Sequence, residues 1–144
     1  PEGFVKGRKE PLQGNEVRLI LWTASVEIGT AQPFGLGLGG LEPALSQKLI
    51  AWGYPEQAKK EFNPHNQFLQ IWNEIGYIGV LIFLGLLIFI NQAFYNKRQL
   101  SGLLLSLVFI VFCLFESILQ RESGIVFFLC WFTALSYWPK NATT

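Results

Sequence analysis

The sequence predicts an all-α fold, an integral membrane helix bundle of three transmembrane helices joined to a helical loop segment. Three observations carry that prediction. Of 144 residues, 51% are hydrophobic and 15% charged, where soluble domains carry about a quarter charged residues. The deficit is local: residues 75–138 hold only Lys97, Arg98, Glu116, Arg121 and Glu122, whereas residues 1–74 are polar. And the apolar part divides into three uncharged runs. The expected organisation is a loop segment with short helices over 1–74, then three membrane helices and a tail over 75–144.

Residues 1–14 combine Gly, Pro and charge and read as loop. Asn15 can cap a helix beginning near Glu16, an acidic first-turn residue. Leu19, Trp22 and Val26 recur at helical spacing, with Ile20 and Leu21 widening that face, which predicts an amphipathic helix of about three to four turns ended by Gly29 and Pro33. Arg18 lies one turn from Trp22 on the same side. Residues 33–40, PFGLGLGG, predict a flexible connection; they lack the strand and the lysine of a phosphate-binding loop. Residues 41–62 predict one or two short surface helices kept wet by Lys48, Lys59 and Lys60.

Asn63 is a good cap and Pro64 suits a first helical position, which predicts a helix carrying His65 in its first turn. From Ile75 to Asn96 no charge occurs over about 22 residues, roughly 33 Å of helix, enough for a hydrocarbon core of about 30 Å. A second uncharged run covers Gln99–Phe115. A third covers Ser123–Trp138 and is short, so its helix is expected to begin near Ile118 unless the turn dips into the membrane. Lys97 and Arg98, with Lys140, fall on one side, which the positive-inside rule makes the cytoplasm; in a bacterium 1–74 and the turn Glu116–Glu122 then face the periplasm. Tyr95, Trp131, Tyr137 and Trp138 are interface anchors. Gly76, Gly79 and Gly85 read as sites of close helix packing, and Cys113 and Cys130 as buried structural thiols. The net charge of +1 speaks against a nucleic-acid surface. With no signal peptide, and Pro1 in place of Met, the chain reads as the C-terminal part of a larger polytopic protein.

His65 is the only histidine. A lone His is more often a satisfied surface or core residue. Here a helix N-terminus favours anions and a neutral imidazole able to take a proton, at the height where a lipid-linked head group would sit. No second His, Cys or carboxylate stands at ligand spacing, so no metal is expected. Arg18 is either a snorkelling surface charge or a guanidinium for phosphate. Glu116 and Arg121 are stop signals, a pair, or groups facing a polar cavity.

His65-Asn66, nine residues, then Gly76-Tyr77-Ile78-Gly79 leading into a span resembles the signature of the O-antigen ligase family, which also holds O-antigen polymerases and protein O-oligosaccharyltransferases. Arg18 with Trp22 and Pro33-Phe34-Gly35-Leu36-Gly37 match two upstream elements of that family. Trp22 stands where ligases typically show Leu, which favours the wider family. The resemblance covers roughly 15–138. It implies a membrane glycosyltransferase, inverting and metal-independent, with no cofactor or nucleotide sugar. Its partners would be an undecaprenyl-pyrophosphate-linked glycan and the lipid A–core acceptor, met at the periplasmic face of the inner membrane. It implies His65 as base or donor-orienting group and Arg18 as the holder of pyrophosphate. Beside these, Asn66, Glu116 and Arg121 are expected on the substrate side. The rival from another class is a transporter or a non-catalytic scaffold; no charge inside the spans speaks against a transporter.

Overall fold

The computed structural model describes residues 15–60 and 63–137, which form seven α-helices and one 3-10 turn with no strand. The first loop over 1–14, the anchor Trp138 and the cation Lys140 lie outside the described residues. Helix α1 (Asn15–Ala31) runs 17 residues, about 4.7 turns, longer than expected. Gly29 does not end it. It lies inside, where Gly29 gives Trp72 room: a Cβ there would stand 2.9 Å from the indole. The buried face also differs from expectation. Leu19 and Val26 point outward, while Ile20, Leu21, Ala24, Ser25 and Ile28 point in. The small residues at 24 and 25 let α1 lie close to its neighbours, which apolar spacing alone does not reveal.

Helix α2 (Leu41–Ala51) and the single turn α3 (Pro55–Ala58) close the first core, built of Leu21, Leu41 and Leu45 with Ile28, Leu49 and Tyr54 around them. Each fully buried leucine contributes about 1.5–3 kcal/mol. Lys48 is not simply wet; its ammonium lies 2.7 Å from Glu27 and above Trp52.

The next helix, α4, spans Gln67–Ile75 and not a stretch from Pro64. Asn66 is its cap, its Oδ1 accepting from the amides of Phe68 and Leu69 at 3.0 Å. His65 therefore precedes the helix. Gly76 (φ 88°, ψ −179°) then breaks the chain before α5 (Tyr77–Asn96). The glycine loop is pinned to this break. Leu36 N–H donates to Asn73 O (2.7 Å), Gly37 N–H to Glu74 O (2.9 Å) and Tyr77 N–H to Pro33 O (3.0 Å). Carbonyls at the end of α4 and the first amide of α5 would otherwise lack partners. The loop caps both helices at once, so it is a fixed part rather than the flexible connection that its composition suggests.

Helix α5 is long and apolar enough to cross a membrane, the one such helix among the described residues. Helices α6 (Leu100–Phe115) and α7 (Glu122–Tyr137) are apolar but have 16 residues each, about 24 Å of helix. Ile118–Gln120 form only a 3-10 turn, and α7 starts at Glu122. The second core joins α4 to these helices through Ile71, Phe83, Leu87, Phe109, Cys113 and Phe128. Asn91 Nδ2 donates to Ser106 Oγ at 2.7 Å between α5 and α6. Cys113 is buried as expected; Cys130 is exposed. Gly79 packs against Ile71 and Ile75, but Gly85 faces open space.

An alanine Cβ at Gly76 would lie 2.5 Å from the Phe34 carbonyl carbon, in a backbone region that side chains rarely adopt. Gly76→Ala is expected to lower the thermal midpoint of the full-length protein in detergent. Gly85→Ala, in open space, should leave it unchanged or raised. Equal midpoints for the two variants would contradict the role given to the break.

Candidate functional site

The site forms where the segment before α4 meets the turn after α6. Glu116 is the residue at the end of α6, in extended conformation (φ −145°, ψ 147°). A carboxylate there faces the negative end of the helix dipole, an unfavourable place on local grounds. Two cationic or proton-donating groups from distant parts of the chain meet it. Arg18 Nη2, from α1, lies 3.3 Å from Oε1, and His65 Nδ1 lies 3.1 Å from Oε2. Each carboxylate oxygen thus serves a different partner.

The expected alternative, a pair between Glu116 and Arg121, is not what forms; both oxygens turn to Arg18 and His65. Arg121 is exposed and lines an apolar cleft of about 470 Å³ between α6 and α7, with Leu105, Phe112, Ile118 and Phe127.

His65 has φ 47°, a left-handed conformation uncommon outside glycine. Its neighbours hold it there. Asn63 Oδ1 accepts from the His65 amide at 2.9 Å, a local turn that asparagine favours. Pro64 is buried, and its carbonyl accepts from Trp22 Nε1 at 2.7 Å. Arg18 and Trp22, one turn apart on α1, therefore both face the site, Trp22 reaching Pro64 and Arg18 reaching Glu116, as their shared side predicts.

Side chains also tie the segment to the turn beyond α6. Asn66 Nδ2 donates to Leu114 O, the Leu119 amide to Gln67 Oε1, and Asn63 Nδ2 to Gln120 Oε1. Sequence reasoning missed Asn63, Gln67 and Gln120 as members of the site. The available signal was the placing of these amide side chains beside His65 and beside Glu116.

The side chains of Arg18, Glu116 and His65 are 39%, 40% and 29% exposed. A ligand can reach all three, and solvent screens their mutual attraction. The imidazole presents Nδ1 to the carboxylate, which leaves Nε2 for a proton from elsewhere. The guanidinium spends one nitrogen on Glu116 and keeps further N–H groups for an oxyanion.

Asn66→Ala removes both the cap of α4 and a tie to α6. A loss of about 1 kcal/mol is expected from the cap alone, with faster hydrogen exchange at the Phe68 and Leu69 amides. Unchanged exchange there would refute the capping role.

Residues 4–84, more than half of the chain, match the sequence-family model described as O-antigen ligase. Arg18, the glycine loop, His65 and the Gly76 break all lie within that match, and Glu116 and Arg121 beyond it. No curated protein and no solved structure matches the chain.

Proposed function

Because the chain belongs to the O-antigen ligase family, we propose that it acts as a membrane glycosyltransferase that moves a glycan from undecaprenyl pyrophosphate to the lipid A–core oligosaccharide. The reaction takes place at the periplasmic face of the bacterial inner membrane. On this reading residues 1–74 form the periplasmic segment, and 75–144 cross the membrane three times, with the shorter α6 and α7 alongside α5.

The observation that carries the proposal is the convergence of Arg18 and His65, 47 positions apart, on one accessible carboxylate. The chemistry needs a base for the acceptor hydroxyl and a cation for the departing pyrophosphate. His65 Nε2 takes the hydroxyl proton as the acceptor oxygen bonds to the anomeric carbon. The bond from that carbon to the pyrophosphate oxygen breaks, and its electron pair leaves on the pyrophosphate. Arg18 holds that growing charge in a fork that lysine cannot supply. Attack from the face opposite the leaving group inverts the anomeric centre, with no metal required. Arg121, exposed at the cleft between α6 and α7, and Asn66, which fixes the segment that carries His65, serve the substrate side on this reading.

One observation favours a sister activity. Trp22 stands where ligases typically show Leu, and its indole N–H makes the bond to Pro64 O that Leu cannot make. A polymerase joining lipid-linked repeats, or a protein O-oligosaccharyltransferase, would use the same site. Loss of a ligase leaves bare core and long glycans on the lipid carrier. Loss of a polymerase leaves core with a single repeat, and loss of an oligosaccharyltransferase leaves proteins unglycosylated.

His65→Ala in the full-length protein should slow transfer by about 10²–10⁴-fold, and Arg18→Ala should likewise abolish the long-chain lipopolysaccharide ladder on gels. Normal ladders from both variants, at wild-type expression, would overturn the proposal.

A further inference from the structure

We infer that Glu116 is a positioning residue that sets the working tautomer of His65 and ties it to Arg18; this rests on the transferase reading above. Three features of the structure lead there. First, Glu116 sits at the C-terminal end of α6, where the helix dipole opposes a negative charge. A local rule broken without local compensation marks a constraint from elsewhere. Second, its two oxygens are divided, one to the Arg18 guanidinium and one to the His65 ring. Third, the ring nitrogen it meets is Nδ1, at 3.1 Å, the one that must carry hydrogen if Nε2 is to accept a proton.

The consequence for the reaction is specific. With its Nδ1–H donated to Glu116, neutral His65 has its lone pair on Nε2. When Nε2 takes the acceptor proton, the imidazolium stays beside a carboxylate that offsets its new charge. Glu116 itself gains no proton. The same carboxylate holds Arg18, so the base and the phosphate-binding cation are kept in register by one group. Glu116 touches neither substrate on this account. The charged or titratable groups that face it are Arg18 from α1 and His65 from the segment before α4.

The test uses the full-length protein and transfer of glycan from its lipid-pyrophosphate donor. Glu116→Gln, similar in shape but uncharged, should lower kcat by about 10²-fold while KM for the acceptor stays within about twofold. Glu116→Asp, which keeps the charge, should recover part of that loss. The double variant His65→Ala with Glu116→Gln should lose far less than the product of the two single losses, because most of the carboxylate's effect passes through the ring and only its hold on Arg18 remains to be lost. Nitrogen-15 NMR of the wild-type protein, with the His65 signal assigned by its loss in His65→Ala, should show the Nδ1–H tautomer. Wild-type kcat in Glu116→Gln with an inactive His65→Ala overturns the positioning role and leaves the transferase reading intact. Independent, multiplying losses in the double variant, or an Nε2–H tautomer, overturn it as well. Full transfer by His65→Ala overturns the transferase reading and this inference with it.

Discussion

The contact between Gly35 and Gly76 is the constraint on which the rest of the structure depends. A Cβ on Gly35 would meet Glu74 O at 2.6 Å, and one on Gly76 would meet the Phe34 carbonyl carbon at 2.5 Å. Two backbones can approach this closely only where neither carries a side chain. That approach lets the loop amides of Leu36 and Gly37 reach the last carbonyls of α4. Helices α4 and α5, parted only by Gly76, would otherwise continue as one. Because α4 ends here, it leaves the line of α5 and carries its other end, with Asn66 and His65, toward the turn after α6. The Pro-x-Gly-x-Gly and Gly-x-x-Gly elements are thus two halves of one joint, with Gly35 and Gly76 lying 41 positions apart in the chain.

Two kinds of stabilisation meet at α4. The first core, under α1 to α3, gains from burying leucines such as Leu21, Leu41 and Leu45 away from water. The second core gains little that way if its surroundings are lipid tails, which are as apolar as leucine. There the structure offers shape and polar bonds instead: Phe94 stacked on Phe132 at 5.9 Å, Gly102 beneath the Phe94 ring, and Asn91 bonded to Ser106. Helix α4 takes part in both, with Trp72 against Gly29 of α1 and Ile71 among the phenylalanines of the second core. The segment carrying His65 hangs from the helix that joins the two.

Much of this was legible in the sequence. The sequence marks the helical regions, singles out Arg18 and His65 and, through their spacing with the glycines, points to the family; it does not mark the break at Gly76 that parts α4 from α5, nor the start of α7 at Glu122. What stayed hidden has a common cause. Asn63 with Pro64 is as good a local helix start as Asn66, and only the bonds from Trp22 to Pro64 and from Asn66 to Leu114 decide between them. Gly29 reads as a helix end until Trp72, 43 residues on, is seen to need its space. Glu116 has a nearby Arg121 and pairs instead with Arg18, 98 residues away. In each case a local preference was overruled by a partner distant in the chain.

The energetics separate the two things the site must do. A non-glycine residue held at positive φ costs about 1–3 kcal/mol, whereas a screened ion pair returns about 0–1 kcal/mol. With two fifths of its side chain exposed, Glu116 belongs to the second class and does not by itself hold His65 at φ 47°. The buried Pro64, the short bond from Trp22 and the Asn63 and Asn66 turns do that. The backbone of the segment is therefore built without the carboxylate. What the carboxylate adds is directional: it selects which face of an already placed ring looks inward and which Arg18 nitrogen is occupied. A group that contributes so little to stability, in a position that its own helix disfavours, is accounted for by the direction it gives to the imidazole and the guanidinium.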